Sequence, residues 1–256
     1  MTEEARLLLI DRPATGVARV SLNRPKARNA LNTALRRQLA DAFITLDSDD
    51  TVHCIVLCGS EGQFVAGADL KELAALTPLE VWKLAVARYW KAIAECSKPV
   101  IAAVAGQALG GGCELALHAD IIVAARSARF RLPEVTLGIM PGGGATQRLV
   151  REVGKYRAMK LMLTGEPIGA DEALAIGMVS EVVDDSALND RALELAGVIA
   201  SQPPLATQLI KQVALAGADA PLATGLLLER RSFELLFDTT EQKERMQAFI
   251  DRRKPT

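Results

Sequence analysis

Two glutamates sit in unusually apolar company. Glu114 lies within Ala108-Leu109-Gly110-Gly111-Gly112-Cys113-Glu114-Leu115-Ala116-Leu117 and is the only charged side chain between positions 105 and 117. Three glycines ahead of small and apolar residues read as a break followed by a helix. A start near Gly110 puts Glu114 about one turn in. A surface carboxylate near a helix N-terminus gains only ~0.3–1 kcal/mol, but this helix is too apolar for a surface element. Desolvation there raises a carboxylate pKa, which suits proton transfer. Glu134 follows Phe130-Arg131-Leu132-Pro133 and leads into Leu137-Gly138-Ile139-Met140-Pro141-Gly142-Gly143-Gly144. Pro133 prevents a regular central strand, and the apolar residues beyond offer a second carboxylate a partly apolar setting. A third stretch, Phe64-Val65-Ala66-Gly67-Ala68-Asp69-Leu70, follows a buried strand. Its small residues let backbone approach a ligand, and N–H groups at a helix start point at negative charge. Each stretch alone also fits an ordinary turn or cap.

Other chemistries lack their motifs. There is no Gly-x-x-x-x-Gly-Lys-Ser/Thr, so Gly142–Gly144 is not a phosphate loop, and the spacing of Gly110–Gly112 is wrong for a dinucleotide fingerprint. No Gly-x-Ser-x-Gly elbow occurs. With two histidines, and four cysteines (Cys54, Cys58, Cys96, Cys113) lacking Cys-x-x-Cys spacing, neither a zinc site nor a disulfide framework is expected. Buried reduced thiols and an acidic start unlike a signal peptide point to the cytoplasm. No apolar run reaches the ~20 residues of a membrane span, so no membrane partner is expected. A net charge of −1 gives no reason to expect nucleic acid; the basic clusters at 24–28 and 252–254 are short.

The elements that must position these residues follow from hydrophobic period. Strands are expected at 7–10 and 16–23, joined as a hairpin through 13–15, and at 52–58, 100–104 and 121–124. Leu35, Leu39, Phe43 and Leu46 recur at helical spacing. A short helix-like run covers 70–76. Thr77-Pro78-Leu79-Glu80 combines a cap, a first-turn proline and a reciprocal glutamate, and predicts a helix with Trp82, Val86, Tyr89 and Ile93 as its buried stripe. After Leu161, strand character nearly vanishes apart from 178–183. Helices are expected over 188–199, 205–215, 222–237 and 241–252, the last behind Thr239 as cap. The chain, half hydrophobic and 24% charged, thus reads as an α/β core over 1–197 followed by a helical region over 198–256.

Taken together, the stretches resemble the crotonase, or enoyl-CoA hydratase/isomerase, family. The matching text also includes Asn23-Arg24-Pro25-Lys26-Ala27-Arg28-Asn29-Ala30-Leu31, Lys98-Pro99-Val100-Ile101-Ala102-Ala103-Val104, Thr146-Gln147-Arg148-Leu149 and Arg245-Met246-Gln247-Ala248-Phe249. It spans essentially the whole chain in matching order and spacing, and is most like a bacterial-type enoyl-CoA hydratase. The resemblance implies a spiral of ββα units with a helical C-terminal trimerisation region, assembled as a homotrimer or a homohexamer made of two trimers. It implies an oxyanion hole from the N–H groups of Ala68 and Gly111, catalytic Glu114 and Glu134, and Gly142 as a water-positioning N–H. Ala66, Leu70 and Lys71 fall at the coenzyme A arm, with Arg28, Ala30 and Phe249 as further contacts. Ala145 and Arg245 replace frequent glycines of the family pattern.

The implied reaction is reversible syn addition of water to a trans-2-enoyl-CoA, giving a 3-hydroxyacyl-CoA, as in β-oxidation of fatty acids or in aromatic-acid breakdown. No cofactor is expected, because coenzyme A is part of the substrate. Two N–H donors suit the enolate-like oxygen, each worth ~3–4 kcal/mol. Paired carboxylates in an apolar pocket split their pKa values, so one holds a proton. The motifs assign this work to the pair and leave base and acid open between its members. Double-bond isomerisation is the nearest alternative and needs one base, so both glutamates favour hydration. Dehydration of other hydroxyacyl-CoAs runs the same pair in reverse. An RNA-binding role, shown by some relatives, is disfavoured by the balanced charge. Residues 73–90 are expected to shape the acyl pocket.

Overall fold

The structure, a computed structural model, describes residues 6–252. Met1–Ala5 of the acidic start, and Arg253 and Lys254 of the 252–254 cluster, lie outside the described residues. Strands β1 (Leu8–Ala14) and β2 (Gly16–Leu22) form the opening hairpin. The first strand runs further than its hydrophobic pattern suggested and includes Pro13. It is an edge strand, where a missing N–H breaks no interior ladder. Helix α1 (Thr33–Asp47) starts at Asn32, whose side chain accepts from Leu35 N at 2.8 Å. It buries Leu35, Leu39, Phe43 and Leu46 as its period requires.

Strand β3 (Val52–Cys58) follows, then three short helices: α2 (Leu70–Leu73), α3 (Pro78–Leu84) and α4 (Ala87–Ala94). The expected capping box is present: Thr77 accepts from Glu80 N, and Glu80 accepts from Thr77 N at 2.8 Å. The expected continuous stripe is not. Ala85 takes a left-handed conformation (φ 46) and ends α3 with its N–H on Trp82 O. The break turns the two helices out of register, so Tyr89 and Ile93 are buried while Trp82 is 77% exposed.

The chain then repeats a strand–strand–helix unit. β4 (Val100–Val104), β5 (Gln107–Leu109) and α5 (Gly111–Ala116) form one turn. β6 (Ile121–Ala125), β7 (Arg129–Arg131) and a 3₁₀ turn over Pro133–Leu137 form the next. Helices α6 (Ala145–Val153) and α7 (Lys155–Thr164), strand β8 (Ile168–Gly169), α8 (Ala170–Ala175) and β9 (Glu181–Val183) complete the core. First strands of each turn build a six-stranded sheet, β1-β2-β3-β4-β6-β9, parallel except for the hairpin. Second strands build a small sheet, β5-β7-β8, extended by a bridge from Val65 to Ala108. β5, β7 and β8 are too short to show a period of two, so the sequence gives no sign of them.

Both faces of the large sheet are covered. Ile55, Leu57, Ala102 and Val104 face the main core with Phe43, Phe64 and Phe130. Cys54, Val56, Ile101 and Ala103 face the other way, onto helix α9 (Leu188–Ala200), whose Ala192, Ala196 and Ala200 form a small-residue seam. The position 197/198, expected as a boundary, falls inside this helix. Helices α10 (Pro204–Ala218), α11 (Leu222–Leu236) and α12 (Thr240–Arg252) follow. Thr239 caps the last through Gln242 N. Lys211 ties α10 to the core by a 2.7 Å ion pair with Asp120 and a bond to Lys98 O. Among the described residues, no helix is long and apolar enough to cross a membrane.

One close approach seats α5. A Cβ on Gly112 would overlap the Val65 carbonyl and lie 2.7 Å from Val65 Cβ, so only hydrogen fits between the helix and the bridging strand. Gly112→Ala is expected to destabilise the chain by ~2–3 kcal/mol through overpacking. A lower urea midpoint with an unchanged slope would show it; an unmoved midpoint would contradict the packing described.

Candidate active site

The third stretch of small residues is held in place by the loop after β2. Asn29 is fully buried; its side chain accepts from Arg24 N (2.9 Å) and donates to Gln63 O (2.9 Å). Arg24 then bonds Ala30 O at 2.9 Å and pairs with Asp69 at 2.8 Å. The Arg24 guanidinium is the main reason the Asp69 carboxyl lies below its usual range. Backbone bonds Ala66 N to Arg28 O, Leu31 N to Gly67 O and Asp69 N to Leu31 O close the seam. In this pattern the neighbours of Ala68 use their polar groups, and Ala68 N donates to no backbone carbonyl among the described residues.

Helix α5 supplies the second N–H. Gly110 is its N-cap, with φ 48 and ψ −119, a conformation that favours glycine. Gly111 is the first helical residue, so its N–H has no carbonyl one turn back to bond. A Cβ on Gly111 would lie 3.8 Å from Ala68 N, 3.4 Å from Leu31 Cδ1 and 4.0 Å from Trp90 Cζ2. The two small-residue stretches, distant in sequence, therefore meet at one point walled by Leu31 and Trp90.

Both glutamates are buried at this junction, Glu114 with 3% and Glu134 with 8% of its surface exposed. Glu114 Oε1 accepts from Gly143 N at 2.7 Å and Ala145 N at 3.1 Å, the amides that open α6. Burial raises its pKa; these amides and the more distant Arg36 charge oppose the rise. Glu134 packs over Gly110, where an added Cβ would lie 2.6 Å from Glu134 Oε1. Its Oε2 is buried with no hydrogen-bond partner among the described residues. Burial, and then the Glu114 charge, raise its pKa. Two electrostatically coupled carboxyl groups thus face a junction with two free N–H donors. Such a pair can hold one proton between its members, taking one from water and giving one to carbon, while the N–H groups receive negative charge on a substrate oxygen.

Of the other expected positions, Gly142 is exposed, next to the Gly143 whose N–H holds Glu114. Ala66 and Ala30 are half-buried and Arg28, Leu70 and Lys71 exposed around the stitched loop. Phe249 is half-exposed on α12, which Arg245 ties to Ser201 O at 2.7 Å. Trp90, at the end of the 73–90 stretch expected to shape the acyl pocket, stands at this junction; no motif gave Gly143, Ala145 or His118 a role. Gly143 sits so close that a Cβ would come 2.7 Å from Glu114 Oε2 and 2.8 Å from Trp90. Its only trace in the sequence is the Gly142–Gly144 run. Arg36 is a buried guanidinium on the inner face of α1 that no motif marked.

Because the Glu134 pKa is raised in the fold, ionising it costs stability that the unfolded chain does not lose. That cost is absent below the unfolded value near 4.5 and grows as pH rises through the folded value. Relative to wild type, Glu134→Gln should therefore gain in melting temperature between pH 4 and pH 8. Thermal melts at the two pH values read it; a gap that stays constant or narrows would contradict the buried-charge account.

A sequence model described as enoyl-CoA hydratase/isomerase matches residues 12–256. The chain is 47% identical over 238 residues to a probable enoyl-CoA hydratase of Rhizobium meliloti, covering 93% of each. It is 44% identical over 241 residues to the short-chain-enoyl-CoA hydratase of Clostridium acetobutylicum, covering 93% of this chain and 92% of that one. A crystal structure of enoyl-CoA hydratase from Bacillus anthracis superposes with a TM-score of 0.93 at 38% identity over 98% of both chains. The fold with its ββα spiral, the two buried carboxylates and these likenesses agree: the chain belongs to the enoyl-CoA hydratase/isomerase family.

Proposed function

We propose that the protein is an enzyme that hydrates trans-2-enoyl-CoA to 3-hydroxyacyl-CoA at the Glu114–Glu134 junction. The observation that carries the reading is the coupled pair of buried carboxyl groups beside the Ala68 and Gly111 N–H groups. The thioester oxygen sits between those two N–H donors. One glutamate, ionised, takes a proton as the water oxygen bonds the β carbon, and the C=C electrons move toward the thioester oxygen. The other, protonated, delivers its proton to the α carbon. The pair holds one proton before and after, and water is the only co-reactant, so the step calls for no cofactor beyond the coenzyme A of the substrate. Gly142 N–H is assigned to the water. Ala66, Leu70, Lys71, Arg28 and Ala30 are assigned to the coenzyme A arm at the mouth, with Phe249 at the adenine end. Hydration is favoured over double-bond isomerisation because isomerisation leaves the second carboxyl unused.

Glu114→Gln and Glu134→Gln should each lower turnover of crotonyl-CoA by about 10²–10⁴-fold while the protein stays folded. Loss of enoyl-thioester absorbance, followed beside circular dichroism, tests it; near-normal hydration by either variant sinks the assignment.

The same reading includes assembly and compartment. Helices α10 and α11 leave Ile210, Leu222, Leu226 and Phe233 exposed around an apolar groove of about 420 Å³, a face that a neighbouring chain can cover. A homotrimer, or a hexamer of two trimers, covers these faces. The four cysteines are free and buried, with Cys54 and Cys96 pushed up to about 12 by burial, which fits a reducing cytoplasm. Light scattering should give three or six chains; a stable active monomer would contradict the assembly.

A further inference from the structure

His118 stands two residues beyond α5, 8% exposed, and touches the machinery without belonging to it. Its Nε2 lies 2.8 Å from Gly143 O. A carbonyl only accepts, so Nε2 carries the hydrogen and donates. Gly143 O belongs to the peptide between Gly143 and Gly144. The peptides on either side of it supply the two N–H groups that hold Glu114 Oε1, from Gly143 at 2.7 Å and Ala145 at 3.1 Å. On its face the imidazole stacks on Trp90, with centroids 5.2 Å apart and planes 8° apart. Trp90 in turn presses against the Gly143 α carbon, where an added Cβ would lie 2.8 Å away. Ring, loop and carboxylate form one closed chain of contacts.

We infer that His118 is a positioning residue for Glu114: its Nε2–H clamps the Gly143 carbonyl and so aims the two amides that fix one oxygen of the carboxylate, leaving the other for chemistry. The clamp needs a hydrogen on Nε2, which the Nε2–H tautomer and the imidazolium both carry and the Nδ1–H tautomer lacks. Nδ1 is buried without a partner among the described residues. The residue lines a cavity of about 500 Å³ together with Arg148 and Glu152 of α6, Asp120 ahead of β6 and Lys211 of α10. Burial and then the Arg148 charge hold the imidazole pKa down to about 4, so the ring is neutral at pH 7 and the clamp rests on the Nε2–H tautomer.

The kinetic side of this inference rests on the hydratase reading; its spectroscopic side does not. His118→Phe keeps a ring for Trp90 and deletes the donor. It should lower kcat about 10- to 100-fold with KM within about twofold. It should also raise the Glu114 pKa by about one unit, since the loosened amides no longer favour the ionised form. Carboxyl ¹³C NMR of glutamate-labelled protein without substrate reads that titration, Glu114 being assigned through Glu114→Gln. His118→Gln, which loses the ring but keeps an N–H donor, should recover most of both. Wild-type kcat and an unmoved Glu114 titration in the Phe variant would overturn the proposal. So would a Gln variant no better than Phe, which would reduce His118 to packing. Should the Phe variant not fold, His118→Met against His118→Gln, alike in size and differing in the donor, makes the same comparison. A wild type that leaves crotonyl-CoA unhydrated refutes the hydratase reading and leaves the titration to judge His118.

Discussion

The bond between Glu114 and the amides that open α6 is the constraint on which the rest of the site depends. A carboxylate with 3% exposure cannot remain in an apolar interior without donors, because an unpaired buried charge costs several kcal/mol or neutralises itself. Gly143 and Ala145 supply two donors to one oxygen. They hold the side chain in a single orientation, and they oppose part of the pKa rise that burial imposes. Glu134 has no such support at Oε2. The two carboxyl groups therefore live in different environments although both are buried, and groups so placed tend to divide acid and base work.

Keeping that bond requires three parts of the chain to meet. The stitched seam of Arg24, Asn29 and Asp69 sets the backbone around Ala68. The close contact of Gly112 with Val65 sets α5 against the same strand. The 3₁₀ turn at Pro133–Leu137 brings Glu134 over Gly110. Each part is fastened to the next turn of the spiral: Arg24 to Asp69 and Asn29 to Gln63 O, Gly112 against Val65, and Glu134 over Gly110. That is why the small sheet, three short strands with a bridge from Val65, matters more to function than its size suggests. Active-site polar groups are held by hydrogen bonds across turns, while the large sheet and α9 carry the apolar burial that stabilises the whole.

Much was legible in the sequence. β3 and β4 fall where β-branched apolar runs placed them, and α1, α9, α10 and α11 follow their periodic stripes to within a few residues. The capping box at Thr77 was readable because it is purely local. Trp82 was misread because one left-handed residue, Ala85, splits the helix, and an alanine gives no sign of that conformation. β5, β7 and β8 escaped notice because two or three residues carry no period.

Composition and spacing by themselves determined the α/β class and singled out Glu114 as a carboxylate in apolar surroundings, because burial leaves its mark residue by residue along the chain; Glu134 alone also fitted a surface turn, and the resemblance paired it with Glu114. Composition and spacing also marked the stretches 64–70 and 108–117 as places where backbone is bared, and the resemblance narrowed these to Ala68 and Gly111. Only the tertiary structure decided which backbone groups answer those carboxylates. Gly143 holds Glu114 from 29 positions further along the chain, and His118 reaches forward 25 positions to the same glycine. A hydrogen bond formed by closing a loop depends on distance in space, and no residue type announces in advance which carbonyl or amide the fold will carry to it.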